Sequence, residues 1–543
     1  MFDHLNVVAA SVFIFFFALV TIIGFFASNW KAGDLKNISE WGLGGGRFGP
    51  WVIWFLLGGD LYTAYTVIAI PAVVYAIGAQ GFFAVPYTII IYPFLYLTIP
   101  RLWSVSRKHG YLTAADFVLG RYGHWGLELA VAITGILATM PYIALQLVGL
   151  EKVIGALGIA GQGWMAHAPI TIAFVILALY TYKSGLRAPA MIAFVKDAMI
   201  YIFILAAIVV IPYELGGFGA IFAAAQKAFD AKIAAGAAAT PPVKVTAGLT
   251  LAPQQIGPYI TLAIGSAMAL FMYPHALTGA LASSSVRTIR FNTMALPAYS
   301  LVLGLIALLG VMALAAGIKA PSSTDAVPQL ILWAFPDWFA GFCLSAIALG
   351  ALVPAAVMSI GAANTFTRNV WKPFINPKMT AREESVVAKL TSLIVKVGAL
   401  MVIFLVPTQF ALDLQLLGGV YMVQIFPAVI FGLFTRWFSG TALLIGWAAG
   451  MIAGTALSWT PKAWVPIHAL KWDLPFIGTL DTSLGFSVYN GLTAVLLNIA
   501  VATVLSLVLR SNAADATSPA DYIDERPSPP LRAVRSSLVA GGS

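Results

Sequence analysis

Runs of apolar residues close to the roughly 20 needed to cross a bilayer as a helix recur thirteen times along the chain. Their spans are 5–28, 49–78, 81–100, 125–157, 167–182, 188–212, 254–286, 293–317, 338–366, 386–406, 412–434, 439–460 and 484–510. The runs are continuous rather than alternating, which is the pattern of helices and not of a barrel. The expected fold is therefore all-α and polytopic, with 13 transmembrane helices. Two of the runs are interrupted halfway. In Trp54–Pro71, Gly58-Gly59 weakens the helix, Asp60 puts a carboxyl group at bilayer depth, and hydroxyls follow at Thr63, Tyr65 and Thr66. In 254–286, Pro274-His275 removes a backbone donor and clashes with the preceding turn. Broken backbone inside a membrane is tolerated only where protein or water covers it.

The interrupted runs are the second and the seventh, so five helices separate their starts. A unit with an odd number of spans returns upside down when repeated, which gives an inverted repeat with a site at the midplane between its halves. The expected organisation is an extra N-terminal helix and inside loop (1–48), a first five-helix repeat (49–212), an outside loop (213–253), a second five-helix repeat (254–434), two additional helices (435–510) and a disordered cytoplasmic tail (511–543). The outside loop, rich in Ala and Gly, is expected to be partly helical. Asp116 and Arg121, between the third and fourth runs, are expected to pair at the inner face.

Composition narrows the class. The chain is 60% hydrophobic and 9% charged, with a net charge of +9. That charge needs no nucleic acid to explain it, because inside loops of membrane proteins collect Lys and Arg. With the N-terminus placed outside, twenty of the thirty bases fall in inside segments and six outside, so the C-terminus is expected in the cytoplasm. The first run lacks a basic leader and a cleavage site, and reads as a retained helix. The lone Cys343 excludes an internal disulfide. No phosphate-cradling loop or Cys cluster appears, and a single mid-run histidine is too few for a haem–copper subunit. An ion channel fits two matched breaks less well than alternating access does. An enzyme is not expected.

WGLGGGRFG, TAADFVLGRYG, GLRAPAMIAFVKD, LFMYPHALTG and PAAVMSIGAANTFTRNVW together resemble the sodium:solute symporter family over nearly the whole chain bar the tail. MPYIALQLVGLEKVI, YPHALTG and VMSIGAANTFTRN are most similar to its bacterial monocarboxylate permeases. The resemblance implies a multi-pass protein of the bacterial inner membrane that imports pyruvate, lactate, acetate or propionate, and in some members alanine, by symport, driven by a sodium gradient. It implies no cofactor beyond the coupling ion, sodium or a proton, and leaves room for a small membrane subunit. Carried over by position, the sodium ligands are the carbonyls of Gly59, Tyr62 and Ala356 and the hydroxyl of Ser359. The second hydroxyl position holds Ile360, a departure that removes one oxygen.

Four ionisable groups are coupling candidates. Lys196 lies nine residues into its helix, roughly 13 Å at 1.5 Å per residue, with Asp197 beside it; Asp60 and His275 sit at the two breaks. A buried lysine that fills the ion site keeps proton coupling open as the alternative. For the substrate, a small carboxylate needs donors and a short apolar wall. The half-helix end near Tyr62 offers N–H groups and a favourable dipole, and Thr63, Tyr65 and Thr66 offer hydroxyls. Tyr142 and Gln146, four apart on one helix face, Tyr273, His275 and Gln424 complete the expected set, with Gln415 weaker.

Overall fold

The computed structural model describes residues 5–30, 33–159, 167–405, 411–461, 464–469, 487–509 and 515–523. Among these, ten helices are long and apolar enough to cross a membrane, or eleven when Pro253–Leu270 and Pro274–Leu281, bent by 51°, count as one broken span. The other two expected crossings are shorter pieces: Pro50–Gly59 with Tyr65–Ile77, and the 17-residue Ala168–Ser184. Among the described residues the full-length crossings are thus ten or eleven, and shorter apolar helices hold the other two expected positions.

Burial sorts the helices into centre and perimeter. The most apolar stretch of Asp337–Phe374 is wholly buried, whereas those of Val7–Asn29, Gly440–Ser458 and Asn490–Val508 are only about a third buried. Large side chains such as Ile14, Phe15, Leu507 and Val508 lie exposed on these outer helices, where acyl chains would cover them. The central helix Asp337–Phe366 packs against both breaks. A Cβ on its Gly361 would come within 2.7 Å of the His275 backbone nitrogen, so only glycine permits this approach.

Both breaks fall where the sequence places them. The first span ends its first half at Gly59, leaves regular helix through 60–63, and resumes in a π-helical turn at Tyr65–Ala69 followed by Ile70–Ile77. The second resumes at Pro274, whose missing N–H suits the first turn of a helix. The expected outside loop holds a helix, Phe218–Ala238, tied to the far end of the first broken span by Lys232 Nζ donating to the Tyr75 carbonyl at 2.7 Å. A short antiparallel pair, Ile467–Ala469 with Ser487–Tyr489, turns Tyr489 into the bundle, where its hydroxyl donates to the Leu416 carbonyl at 2.7 Å.

The expected Asp116–Arg121 pair is not formed. Asp116 faces Arg368 at 3.4 Å and accepts from Asn369 at 2.7 Å. Arg121 instead reaches Asp515 at 2.9 Å and the carbonyls of Gly432 and Thr435. Both residues lie on the short helix Ala114–Tyr122, but Asp116 is near its start and Arg121 at its end. Five residues turn a helix well past one full revolution, so the two point to different neighbours. Part of the expected disordered tail is docked here: Tyr522 is buried against Phe117, and Asp521 pairs with His109 at 2.9 Å. The tail beyond 523 lies outside the described residues.

Candidate functional site

The first break is held open by its own side chains. Thr66 Oγ1 accepts from the Thr63 N–H at 2.9 Å and donates to the Thr63 carbonyl at 3.0 Å, while Thr63 Oγ1 accepts from the Tyr65 N–H at 3.1 Å. Gln146, from the neighbouring helix Trp125–Ala156, accepts from the Ala64 N–H at 2.9 Å and donates to the Tyr142 carbonyl at 3.2 Å. Orphaned backbone donors at a helix start are costly inside a bilayer. Thr63, Thr66 and Gln146, expected to touch substrate, are therefore already committed to stabilising the break.

Two polar clusters flank it. On one side Lys196, fully buried, donates to the Gly59 carbonyl, lies 3.4 Å from the Tyr62 carbonyl and forms an ion pair with Asp197 at 3.0 Å. Asp197 also accepts from the Tyr299 hydroxyl at 2.9 Å. Gly59 leaves room for this pair, since a Cβ would stand 2.9 Å from Lys196 Nζ and push the ammonium aside. The ammonium thus rests on two of the four oxygens expected to ligate sodium. The other two are close to each other: the Ser359 hydroxyl donates to the Ala356 carbonyl at 2.8 Å. Ile360, at the missing-ligand position, packs in an apolar cluster with Ile53 and Leu56.

On the other side Asp60 and His275, one from each break, face each other at 3.4 Å. Tyr142 and Tyr273 pack around the imidazole, with ring centroids 5.6 and 5.3 Å away, and Tyr65 stacks edgewise on Tyr142. Three buried polar atoms here have no hydrogen-bond partner among the described residues: Asp60 Oδ1, His275 Nδ1 and the Tyr273 hydroxyl. Buried polar atoms are ordinarily satisfied, so these three, with Gln415 Oε1 in the adjoining cavity, have bonding capacity to offer a solute. Toward the hairpin the cluster adjoins a cavity of about 20 Å³ lined by Tyr65, Tyr87, Tyr142, Tyr273, Gln415 and Tyr489. That is room for about one water.

Gln424 is not part of either cluster. Its amide donates to the Val420 carbonyl, and its side chain and carbonyl face Asn498 of the last span. Sequence reading missed Lys396. This fully enclosed lysine donates to Ser392 at 2.8 Å, and Ser392 donates to Ser359 at 3.1 Å. The signal was present, since a base near the middle of an apolar run is notable in itself. Tyr299 and Tyr489 carried no such signal, tyrosine being common in membrane helices.

The profile of the Sodium:solute symporter family matches residues 41–454. The chain is 54% identical over 517 residues to a "Monocarboxylate transport permease protein" of Rhizobium johnstonii, covering 94% of this chain and 99% of that one. It is 35% identical to the uncharacterised symporter YodF of Bacillus subtilis, over 80% of this chain and 84% of the relative. A solved Na+-coupled sialic acid symporter, in a substrate-bound outward-open state, shares the fold with a TM-score of 0.70 at 14% identity, over 93% of this chain and 98% of that one.

Proposed function

The chain belongs to the sodium:solute symporter family, and we propose on that premise that it imports short monocarboxylates by alternating access, with sodium as the driving ion. It is a membrane transporter and not an enzyme. The observation that carries the substrate reading is the unsatisfied trio of Asp60 Oδ1, His275 Nδ1 and the Tyr273 hydroxyl between the two breaks. His275 and Tyr273 can donate to a carboxylate, and the rings of Tyr65 and Tyr142 wall off a small apolar tail. Asp60 faces the imidazole at Nε2, and Nδ1 donates to the cargo when Asp60 is protonated and donates to Nε2, or when the ring carries both protons. A site this closely walled favours acids of a few heavy atoms. The monocarboxylate name of the Rhizobium relative points the same way.

Sodium, as a co-transported ion, would take the oxygens of Gly59, Tyr62, Ala356 and Ser359. For that the Lys196 ammonium has to give up the two carbonyls and stay on Asp197, which remains its partner throughout. This swap exchanges one cation for another on the same oxygens and so avoids leaving either carbonyl bare. Family membership speaks for sodium. The position of Lys196 is the one observation on which a proton-driven reading would rest.

One experiment tests both points. Purified protein in proteoliposomes is given labelled pyruvate, lactate, acetate or alanine under an inward sodium gradient, and separately under a pH gradient. Accumulation of a monocarboxylate under the sodium gradient is expected. Accumulation under the pH gradient alone would replace sodium with protons, and no accumulation of any of the acids would remove the monocarboxylate reading.

A further inference from the structure

The second half of the second broken span, Pro274–Leu281, joins two places. At one end is His275, in the central cluster. At the other, Leu281 forms part of the wall of a separate cavity of about 270 Å³. A step of six residues parts them, roughly 9 Å along a helix axis. The cavity is also lined by Ser39, Gly45, Gly46, Ser106 and Arg107. Arg47, Arg107 and Lys108 gather on this side, which marks it as the cytoplasmic end of the route.

Ser39 in the cavity wall is taken by Asn37 at 3.0 Å, but two neighbouring groups keep bonding capacity. Ser106 is 2% exposed, and its hydroxyl has no hydrogen-bond partner among the described residues. Arg107 has no carboxylate within ion-pair distance among the described residues; its guanidinium lies 3.5 Å from the Gly46 carbonyl and 5.9 Å from the Trp103 ring. The surrounding charges are engaged elsewhere. Glu40, beside Gly45, is held by Arg47 and Arg187. Lys108, the next residue along, is taken by the Ala520 carbonyl and Asp521 of the docked tail. Gly46 makes room for the guanidinium: its φ is +62°, and a Cβ would stand 2.3 Å from Arg107 Nη1. A guanidinium presents parallel N–H groups matched to the two oxygens of a carboxylate.

We propose that this cavity is a second, cytoplasmic binding station for a small carboxylate, which Arg107 and Ser106 hold after it leaves the central cluster and before it is released. The station rests on the monocarboxylate reading given above and adds to it a sidedness that the central cluster does not have. Its volume is more than ten times that of the tyrosine-lined cavity, so cargo enters it hydrated and loosely held. That suits a release site, whose occupant has to leave.

The test compares the two sides of the membrane. In vesicles of known orientation, half-saturation for labelled lactate or pyruvate is measured from the cytoplasmic face, by efflux and counterflow, and from the outer face, by uptake. Loss of a charge-assisted contact in Arg107→Gln is expected to raise the ratio of inner to outer half-saturation about tenfold, equivalent to roughly 1.4 kcal/mol. Arg107→Lys is expected to recover part of it, and Ser106→Ala to raise the ratio about threefold. Should Arg107→Gln fail to insert, the ratio measured for Ser106→Ala decides the question. A ratio that stays constant, whether both sides shift together or neither moves, overturns the station and leaves the monocarboxylate reading standing. Wild-type vesicles that exchange no monocarboxylate from either face overturn that reading, and the station with it.

Discussion

The two clusters that flank the first break differ in one respect that decides their roles. Around Lys196 the charges are answered: two carbonyls and Asp197 receive the ammonium, Tyr299 donates to Asp197 Oδ2, and Asp197 Oδ1, without a hydrogen bond among the described residues, keeps the ion pair at 3.0 Å. Around His275 they are not, with orphaned atoms on Asp60, His275 and Tyr273. Both clusters are buried, and both draw on the same break. A satisfied buried network holds structure together, whereas an unsatisfied one is costly to keep unless a ligand completes it. The Lys196 side therefore keeps the break in shape, and the His275 side is the one we propose for the cargo.

The largest expected effect breaks the satisfied side. Lys196→Met leaves Asp197 as a buried, uncompensated carboxylate and should cost about 3–5 kcal/mol, seen as a lower thermal midpoint in detergent. Lys196→Met combined with Asp197→Leu should recover most of the loss, and failure to recover would show that the two do not act as a pair.

On the unsatisfied side the same kind of change should spare stability and remove transport. Asp60→Asn and His275→Gln are each expected to lower uptake efficiency by about 30-fold or more, with the thermal midpoint nearly unchanged. A large fall in the midpoint would make these two residues structural and erase the contrast. Ser359→Ala lies between the clusters in consequence. It removes one oxygen ligand and should raise the sodium half-saturation about fivefold, as expected for a contact of roughly 1 kcal/mol, while substrate exchange at saturating sodium changes little. Equal loss of both would argue against an ion role.

A finer probe is Tyr273→Phe, which deletes one of the orphaned atoms. Substrate half-saturation should rise about three- to tenfold, and stability should hold or improve, because a hydroxyl buried without a partner no longer has to be accommodated. The smallest effect concerns the docked tail. The hydrogen bonds from His109 and the Ser518 N–H hold the Asp521 carboxyl down at about 2, below its usual 3.8. A carboxyl depressed in the folded state contributes its stabilisation in full above its unfolded value and loses it as pH falls through the folded one. The Asp521 contribution to tail docking should thus be full above about pH 4 and be lost between about pH 4 and 2. Limited proteolysis of the tail across that range checks this, with Asp521→Asn showing the acid behaviour at neutral pH.

How much of this was legible beforehand depends on the kind of residue. The breaks at Gly58-Gly59 and Pro274-His275 were readable because glycine and proline act on their own backbone, wherever the rest of the chain lies. Asp60, Lys196 and His275 were readable because a titratable group in an apolar run is conspicuous. Gln146 was expected at the substrate, and its amide accepts from the Ala64 N–H at the break. Gln424 was assigned to the site and lies against Asn498. The Asp116–Arg121 pairing failed because nearness in sequence is not nearness on a helix surface.

The sequence by itself determined that this chain crosses a membrane many times, that two spans are broken, and that charge is placed at both breaks. These follow from hydrophobicity and local backbone chemistry, which each short stretch carries within itself. Only the tertiary structure decided which polar groups are answered and which remain open. Hydrogen bonding across tens or hundreds of residues depends on distances of a few ångströms, set by how glycines such as Gly59 and Gly361 let one helix approach another.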